Sequence, residues 1–301
     1  MTAMIPAQFV VLDERFAGTG GDRLVARVYA DGRWLEGPAY HPGGRFLKFS
    51  DIPNDRALRY DELTGRTDVV TSPSGFANGR TVDRQGRFVS CEHGGRRVTR
   101  LEHDGSVRVL ADSFAGQRLN SPNDVVEHSD GSLWFTDPTY GVSSDYEGHE
   151  AVPEQAARNV FRIEVGEAPT VVTADFTQPN GLAFSADERQ LYVVDSEEHH
   201  IRVFDVEGDQ LSGGRVFAAD ELGYDGIRLD HRGRLWAAAQ DGLHCLDPDA
   251  TLIGKLLLPE VTSNLTFGGP QRNQLYVTAT TSLYTLRVNF RGATYPGPPG
   301  H

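Results

Sequence analysis

Six oxygen-bearing side chains recur at the head of short apolar runs: Glu36, Asn78, Asn123, Asn180, Asp225 and Asn264. Two are carboxylates, four are amides, and no Cys or His stands among them. Gathered in one place, such a set suits a hard divalent cation, which prefers oxygen donors. Glu36 and Asp225 would balance its two positive charges and so offset part of the cost of burying them. Without an ion the two would repel, and one would tend to keep a proton. Asn, Asp and Gly also recur wherever a strand starts from a turn, so one asparagine carries little weight. All six in one register, with Glu36 standing in for a turn former, favour an ion site.

The elements that must position them follow from the spacing. Eight residues after each leading residue stands a turn position: Gly44, Gly86, Gly131, Glu188, Gly233 and Arg272. A second strand-like run comes next each time, and the leading residues lie 42, 45, 57, 45 and 39 positions apart. A fixed period of that size marks a radial β architecture with one blade per repeat. The expected fold is all-β, a six-bladed β-propeller whose innermost strands run along a central channel and start at one rim. No long stretch shows helical period. The last repeat has room for about three strands. An N-terminal run, residues 9–12 or 24–28, should therefore complete its sheet and remove the open edge. Residues 1–295 read as one domain and 296–301 as a frayed tail. The longest spacing holds a polar, acidic stretch, residues 141–159, which is either a loop over one end of the axis or an idle surface insertion.

Bulk properties exclude several classes. A formal net charge of −13 argues against nucleic acid or anionic lipid as partner. No apolar run approaches membrane-spanning length, and the start lacks a basic region followed by an apolar core. Cys91 and Cys245 are too few for a disulfide framework. A cytoplasmic protein, monomeric or a small homo-oligomer, is the expectation. There is no Gly-x-Ser-x-Gly elbow, His-Glu-x-x-His pair or Walker loop.

Leu35-Glu-Gly-Pro38, Ser50-Asp-Ile-Pro53, Ser121-Pro-Asn-Asp124, Trp134-Phe-Thr-Asp-Pro138, Pro179-Asn-Gly-Leu-Ala-Phe184, Asp225-Gly226, Gly233-Arg-Leu-Trp236 and Phe267-Gly-Gly-Pro270 together resemble the SMP-30/gluconolactonase/regucalcin family. The resemblance runs from about Trp34 to Leu286. It implies a six-bladed propeller with one divalent ion at the channel mouth. It also implies hydrolysis of sugar lactones, such as gluconolactone or xylonolactone, to aldonic acids. Carried over by position, Glu36, Asn180 and Asp225 would be the principal ligands, with Asn123 at the ion's edge as ligand or substrate contact. Ca²⁺ leads the candidates; similar sites also take Mn²⁺, Mg²⁺, Zn²⁺ or Fe²⁺. The regucalcin branch has an arginine where this chain has Ser121, so its sugar preference does not transfer. The Asp137-Pro-Thr-Tyr-Gly141 turn resembles the bacterial gluconolactonase-like branch.

On that reading a cation polarises the lactone carbonyl and water attacks it. Asp225 is the expected general base, because a ligand carboxylate can keep one oxygen free for a proton. Glu36 would mainly hold the ion. His93, Tyr140 and Asp137 are candidate substrate contacts, as are Asn78 and Asn264, which could instead support the ligands from behind. His199 and His200 read as a solvated turn, Trp134 and Trp236 as filling between blades. Asn264-Leu-Thr266 fits a glycosylation sequon by chance, since it lies in an inner strand. Two rivals remain: arylester or organophosphate hydrolysis with His93 near the ion, and a non-catalytic protein-binding propeller with a structural calcium ion.

Overall fold

Each repeat folds into an antiparallel sheet whose first strand is innermost. The computed structural model describes residues 3–293, so the expected tail at 296–301 lies outside the described residues. The inner strands are Leu35–His41, Ala77–Val82, Val125–Glu127, Pro179–Phe184, Ile227–Leu229 and Thr262–Gly268. Each opens a sheet of four or five strands, and the six sheets form the blades of a β-propeller. The one α-helix among the described residues is the four-residue Tyr140–Ser143. None of the described helices is long and apolar enough to cross a membrane.

Period-2 alternation sends successive side chains to opposite faces, and here both faces of a blade are covered by neighbours. In Leu133–Asp137, Leu133 and Phe135 pack toward the second blade, whereas Trp134 packs toward the fourth. In Leu235–Ala239, Leu235 and Ala237 face the fourth blade and Trp236 faces the sixth. The apolar cores therefore lie between blades, leaving the axis to polar groups.

The turn eight residues after each leading residue has a backbone cause. Gly86, Gly131, Glu188, Gly233 and Arg272 all have positive φ, and in the first repeat that conformation falls on Arg45. The fixed offset marks the left-handed residue that lets the chain double back.

Closure takes one of the two expected runs. Leu24–Tyr29 hydrogen-bonds to Leu283–Arg287 as the fourth strand of the sixth sheet, and Ala3–Pro6 adds a fifth at its outer edge. Gln8–Val11 pairs instead with Leu252–Leu257 at the outer edge of the fifth blade, so residues 9–12 do not close the seam. Val25 is fully buried in the core between the fifth and sixth blades; Phe9 only packs against its margin.

Candidate active site

A cleft of about 240 Å³ opens at one end of the channel, with Glu36, Asn78, Asn123, Asn180 and Asp225 in its wall. Five of the six leading residues thus meet there, drawn from the first five blades. They stand where the regular ladder is interrupted. Strand register slips between Glu36 and Ala39, and Asp225 lies just before its strand. A bulge re-aims the side chain it carries. Neighbouring inner strands also approach closely. A Cβ on Gly37 would lie 2.1 Å from the Asn78 carbonyl oxygen, and one on Gly226 would lie 2.1 Å from Asn264 Cγ. Only glycine fits there.

Hydrogen bonds fix which atom each amide shows. Asn180 Nδ2 donates to Ser196 Oγ at 3.0 Å, and that hydroxyl donates to the Tyr224 carbonyl at 2.8 Å. Asn78 Nδ2 donates to His93 Nε2 at 3.1 Å, while His93 Nδ1 donates to the Glu147 carbonyl at 3.1 Å. Burial pulls the His93 pKa down to about 4, so the ring is the neutral Nδ1–H tautomer. Asn78 Oδ1 is left without a partner among the described residues, although it is buried. With their nitrogens engaged by the protein, Asn78 and Asn180 have their oxygens to offer.

Asn264 differs. Its Nδ2 donates to Glu36 Oε2 at 3.1 Å and its Oδ1 accepts from Leu265 N at 2.8 Å. It supports Glu36 from behind and does not line the cleft. Glu36 Oε2 also accepts the Gly37 N–H.

Glu36 is only 4% exposed, and Asp225 is half-buried in the wall. Desolvation pushes both carboxyls above the usual range; the charge of Asp124 raises Glu36 further, and those of Glu36, Glu147 and Asp124 raise Asp225. Among the described residues no group of three or more His, Cys, Asp or Glu is placed to hold a metal ion. The donor set is two carboxylates with amide oxygens. That chemistry, with an orphaned buried amide oxygen beside paired acids, fits a hard dication.

Beneath the acids lie residues that sequence reasoning missed. Arg80 is 1% exposed and donates to the Gly37 carbonyl at 2.9 Å and to Ser50 Oγ at 2.6 Å. Arg228 bridges to Asp124 at 3.2 Å. They bring positive charge to the inner channel below Glu36.

The insertion is docked over the site. Asp137 accepts from the N–H groups of Asn120 and Ser121 at 2.8 and 2.9 Å. It is fully buried and stands outside the cleft wall. Ser121 Oγ accepts from Gly141 N at 3.0 Å. Gln155 Nε2 donates to the carbonyls of Phe114, Gln117 and Arg118. This framework carries Tyr140 and Glu147 into the cleft wall, alongside Trp34, Ser196, His199 and Tyr224. His93 itself is buried behind the wall. His199 is exposed, as a solvated turn should be, yet it borders the cleft. Glu147 gave no local signal, because nothing periodic surrounds it.

Residues 34–281 match the family described as SMP-30/Gluconolactonase/LRE-like region. The gluconolactonase of Zymomonas mobilis is 28% identical over 88% of this chain and 81% of its own length. The pentonolactonase XacC of Haloferax volcanii is 29% identical over 81% of this chain and 80% of its own. The solved structure of a Xanthomonas campestris gluconolactonase superposes with a TM-score of 0.90 at 35% identity, covering 95% of this chain and 97% of that one.

Proposed function

Because the chain belongs to the SMP-30/gluconolactonase/LRE-like family, we propose that its cleft hydrolyses sugar lactones, aldonolactones such as gluconolactone or xylonolactone, to aldonic acids. It is on this reading a carboxylic-ester hydrolase. One observation carries it: Glu36 and Asp225, from the first and fifth blades, share one cleft wall with amide oxygens whose nitrogens are already engaged.

Glu36, Asn180 and Asp225, with Asn123 at the edge, would hold a divalent cation, Ca²⁺ foremost. Bound there, it supplies Lewis-acid polarisation of the lactone carbonyl. The remaining chemistry belongs to the chain. Glu36 is fixed by Gly37 and Asn264 and acts as an immobile carboxylate. Asp225 takes a side-chain hydrogen bond from Asn180 but no backbone N–H among the described residues, so it keeps an oxygen for the proton of the attacking water. It returns that proton to the ring oxygen as the acyl C–O bond breaks, giving the open hydroxy acid. Tyr140, Asn78 and Asn123, which line the cleft, would meet substrate hydroxyls. Both ring nitrogens of His93 are engaged, which leaves the arylester reading without its histidine.

The test is to strip the protein with chelator, restore metals singly, and follow acid release from a panel of sugar lactones. Glu36→Gln and Asp225→Asn run in parallel. We expect metal-restored acid release that both variants lose while keeping the wild-type circular dichroism. No acid release from any lactone, or wild-type rates in either variant, overturns the proposal.

A further inference from the structure

The cleft wall holds three carboxylates, Glu36, Asp225 and Glu147, and no Lys or Arg. The third comes from the insertion between the second and third strands of the third blade. Among the described residues nothing donates to the Glu147 carboxylate or pairs with it. Its backbone, by contrast, is pinned. Its carbonyl accepts from His93 Nδ1 at 3.1 Å. A Cβ on the next residue, Gly148, would lie 2.0 Å from the Gly141 carbonyl oxygen, and His149 N donates to that same carbonyl at 3.0 Å. The His149 ring meets Phe76 edge-on, with centroids 5.1 Å apart. A fixed segment therefore presents an unbalanced negative charge to the cleft whose wall it joins. A dication held by Glu36 and Asp225 would cancel those two charges and leave the third.

Resting on the lactonase reading, we propose that Glu147 is a charge filter. It admits lactones whose substituents are neutral hydroxyl groups and turns away lactones bearing a phosphate, sulfonate or carboxylate. A like charge about 6 Å away, at an effective dielectric constant of about 20, weakens binding on the order of a hundredfold before salt screening. The wall offers an anion no compensating guanidinium or ammonium group. Neutral hydroxyls, by contrast, can donate to the carboxylate. The same charge speeds departure of the aldonate product.

The experiment compares kcat/KM of the metal-loaded enzyme for glucono-1,5-lactone and its 6-phosphate. It is run at pH 8, where imidazoles are neutral and Glu147, raised to about 7 by burial, is ionised. The wild type should prefer the neutral lactone at least about tenfold. That ratio should narrow about tenfold in Glu147→Gln and persist in Glu147→Asp. In the wild type, added salt should raise kcat/KM for the phosphorylated lactone and leave the neutral one unmoved. This last arm needs no variant to fold. An unchanged ratio in folded Glu147→Gln, or equal use of both lactones by the wild type without salt dependence, overturns the filter. Failure to hydrolyse either lactone removes the lactonase reading and the filter with it, and so differs from turnover with an unmoved ratio.

Discussion

Asn264 donates its side-chain amide to Oε2 of Glu36 at 3.1 Å, a bond that crosses the seam between the last blade and the first. The amide cannot turn, because its oxygen accepts the Leu265 N–H. The aim of a principal ligand candidate thus depends on residues that meet only when the ring closes. Closure and chemistry are joined at one hydrogen bond.

Asn264→Ala should therefore lower kcat/KM about tenfold, the loss expected for a buried hydrogen bond to a carboxylate. Melting should fall by only a few degrees. Steady-state kinetics and thermal denaturation on the same preparation decide the matter. A variant that melts lower but turns over normally would show that Asn264 serves stability alone.

His93 ties Asn78 to the insertion, and its pKa gives that tie a pH signature. The folded value, about 4, lies below the ordinary 6.5, so the unfolded chain binds the proton more readily. The wild type should lose stability through this group as pH falls from 6.5 toward 4, and the loss should be absent in His93→Gln. The difference in unfolding free energy between the two should shift in favour of the variant across that window, by about 3 kcal/mol at most. Denaturant melts at several pH values measure it. At neutral pH His93→Phe, which drops both bonds, should raise KM about tenfold and speed proteolysis within residues 141–159. Equal proteolysis rates would mean that the ring does not hold the insertion.

How much could be read from the chain follows from which constraints are local. The left-handed turn residue eight positions after five of the six leading residues, and nine after Glu36, is a backbone requirement, so the blades and their number were legible. The leading residues also showed their common rim. Which of them faces the cleft was harder. Glu36, Asn78, Asn180 and Asp225 are each followed by glycine, the residue that lets adjacent inner strands touch. Asn264 is followed by Leu265, whose N–H captures its oxygen. That contrast stood in the sequence and sets Asn264 apart from these four, although Asn123 reaches the cleft with Asp124 behind it. The choice between residues 9–12 and 24–28 as closing strand could not be made locally, because both are short apolar strand-like runs and only packing at the seam separates them. Glu147, Arg80 and Arg228 are set by partners far along the chain, and no nearby pattern announces them.

The glycine contacts lead to a third prediction. A methyl group on Gly226 would overlap the Asn264 side chain, and Asn264 in turn holds Glu36. Gly226→Ala should cost at least about tenfold in kcat/KM, with visible destabilisation from overpacking. Gly233→Ala is the control. Its φ of 76° makes alanine strained, but its Cβ would meet nothing nearer than Pro248 at 3.5 Å. That variant should lose about 1 kcal/mol of stability and keep its kinetics. If the two variants behave alike, close approach at the inner strands is not what positions the site.

The seam offers the last test. Val25 is fully buried between the fifth and sixth blades, on the strand that hydrogen-bonds to Leu283–Arg287. Val25→Ala should cost about 2 kcal/mol through lost burial and the cavity left behind. Val25→Asp should cost more, since nothing there can pair with the charge. Because Val25 is remote from the cleft wall, the alanine variant should keep kcat/KM within about twofold while its urea midpoint falls. Val10 sits on a different N-terminal strand, opposite Lys255 at the edge of the fifth blade. Val10→Ala should leave the midpoint nearly unmoved, because that side chain is only half-buried. Equal losses at the two sites would mean that burial at the seam is not what holds the ring closed. A loss confined to Val25 places the lock of the propeller in residues 24–29, a strand of the sixth sheet that also carries Asn264.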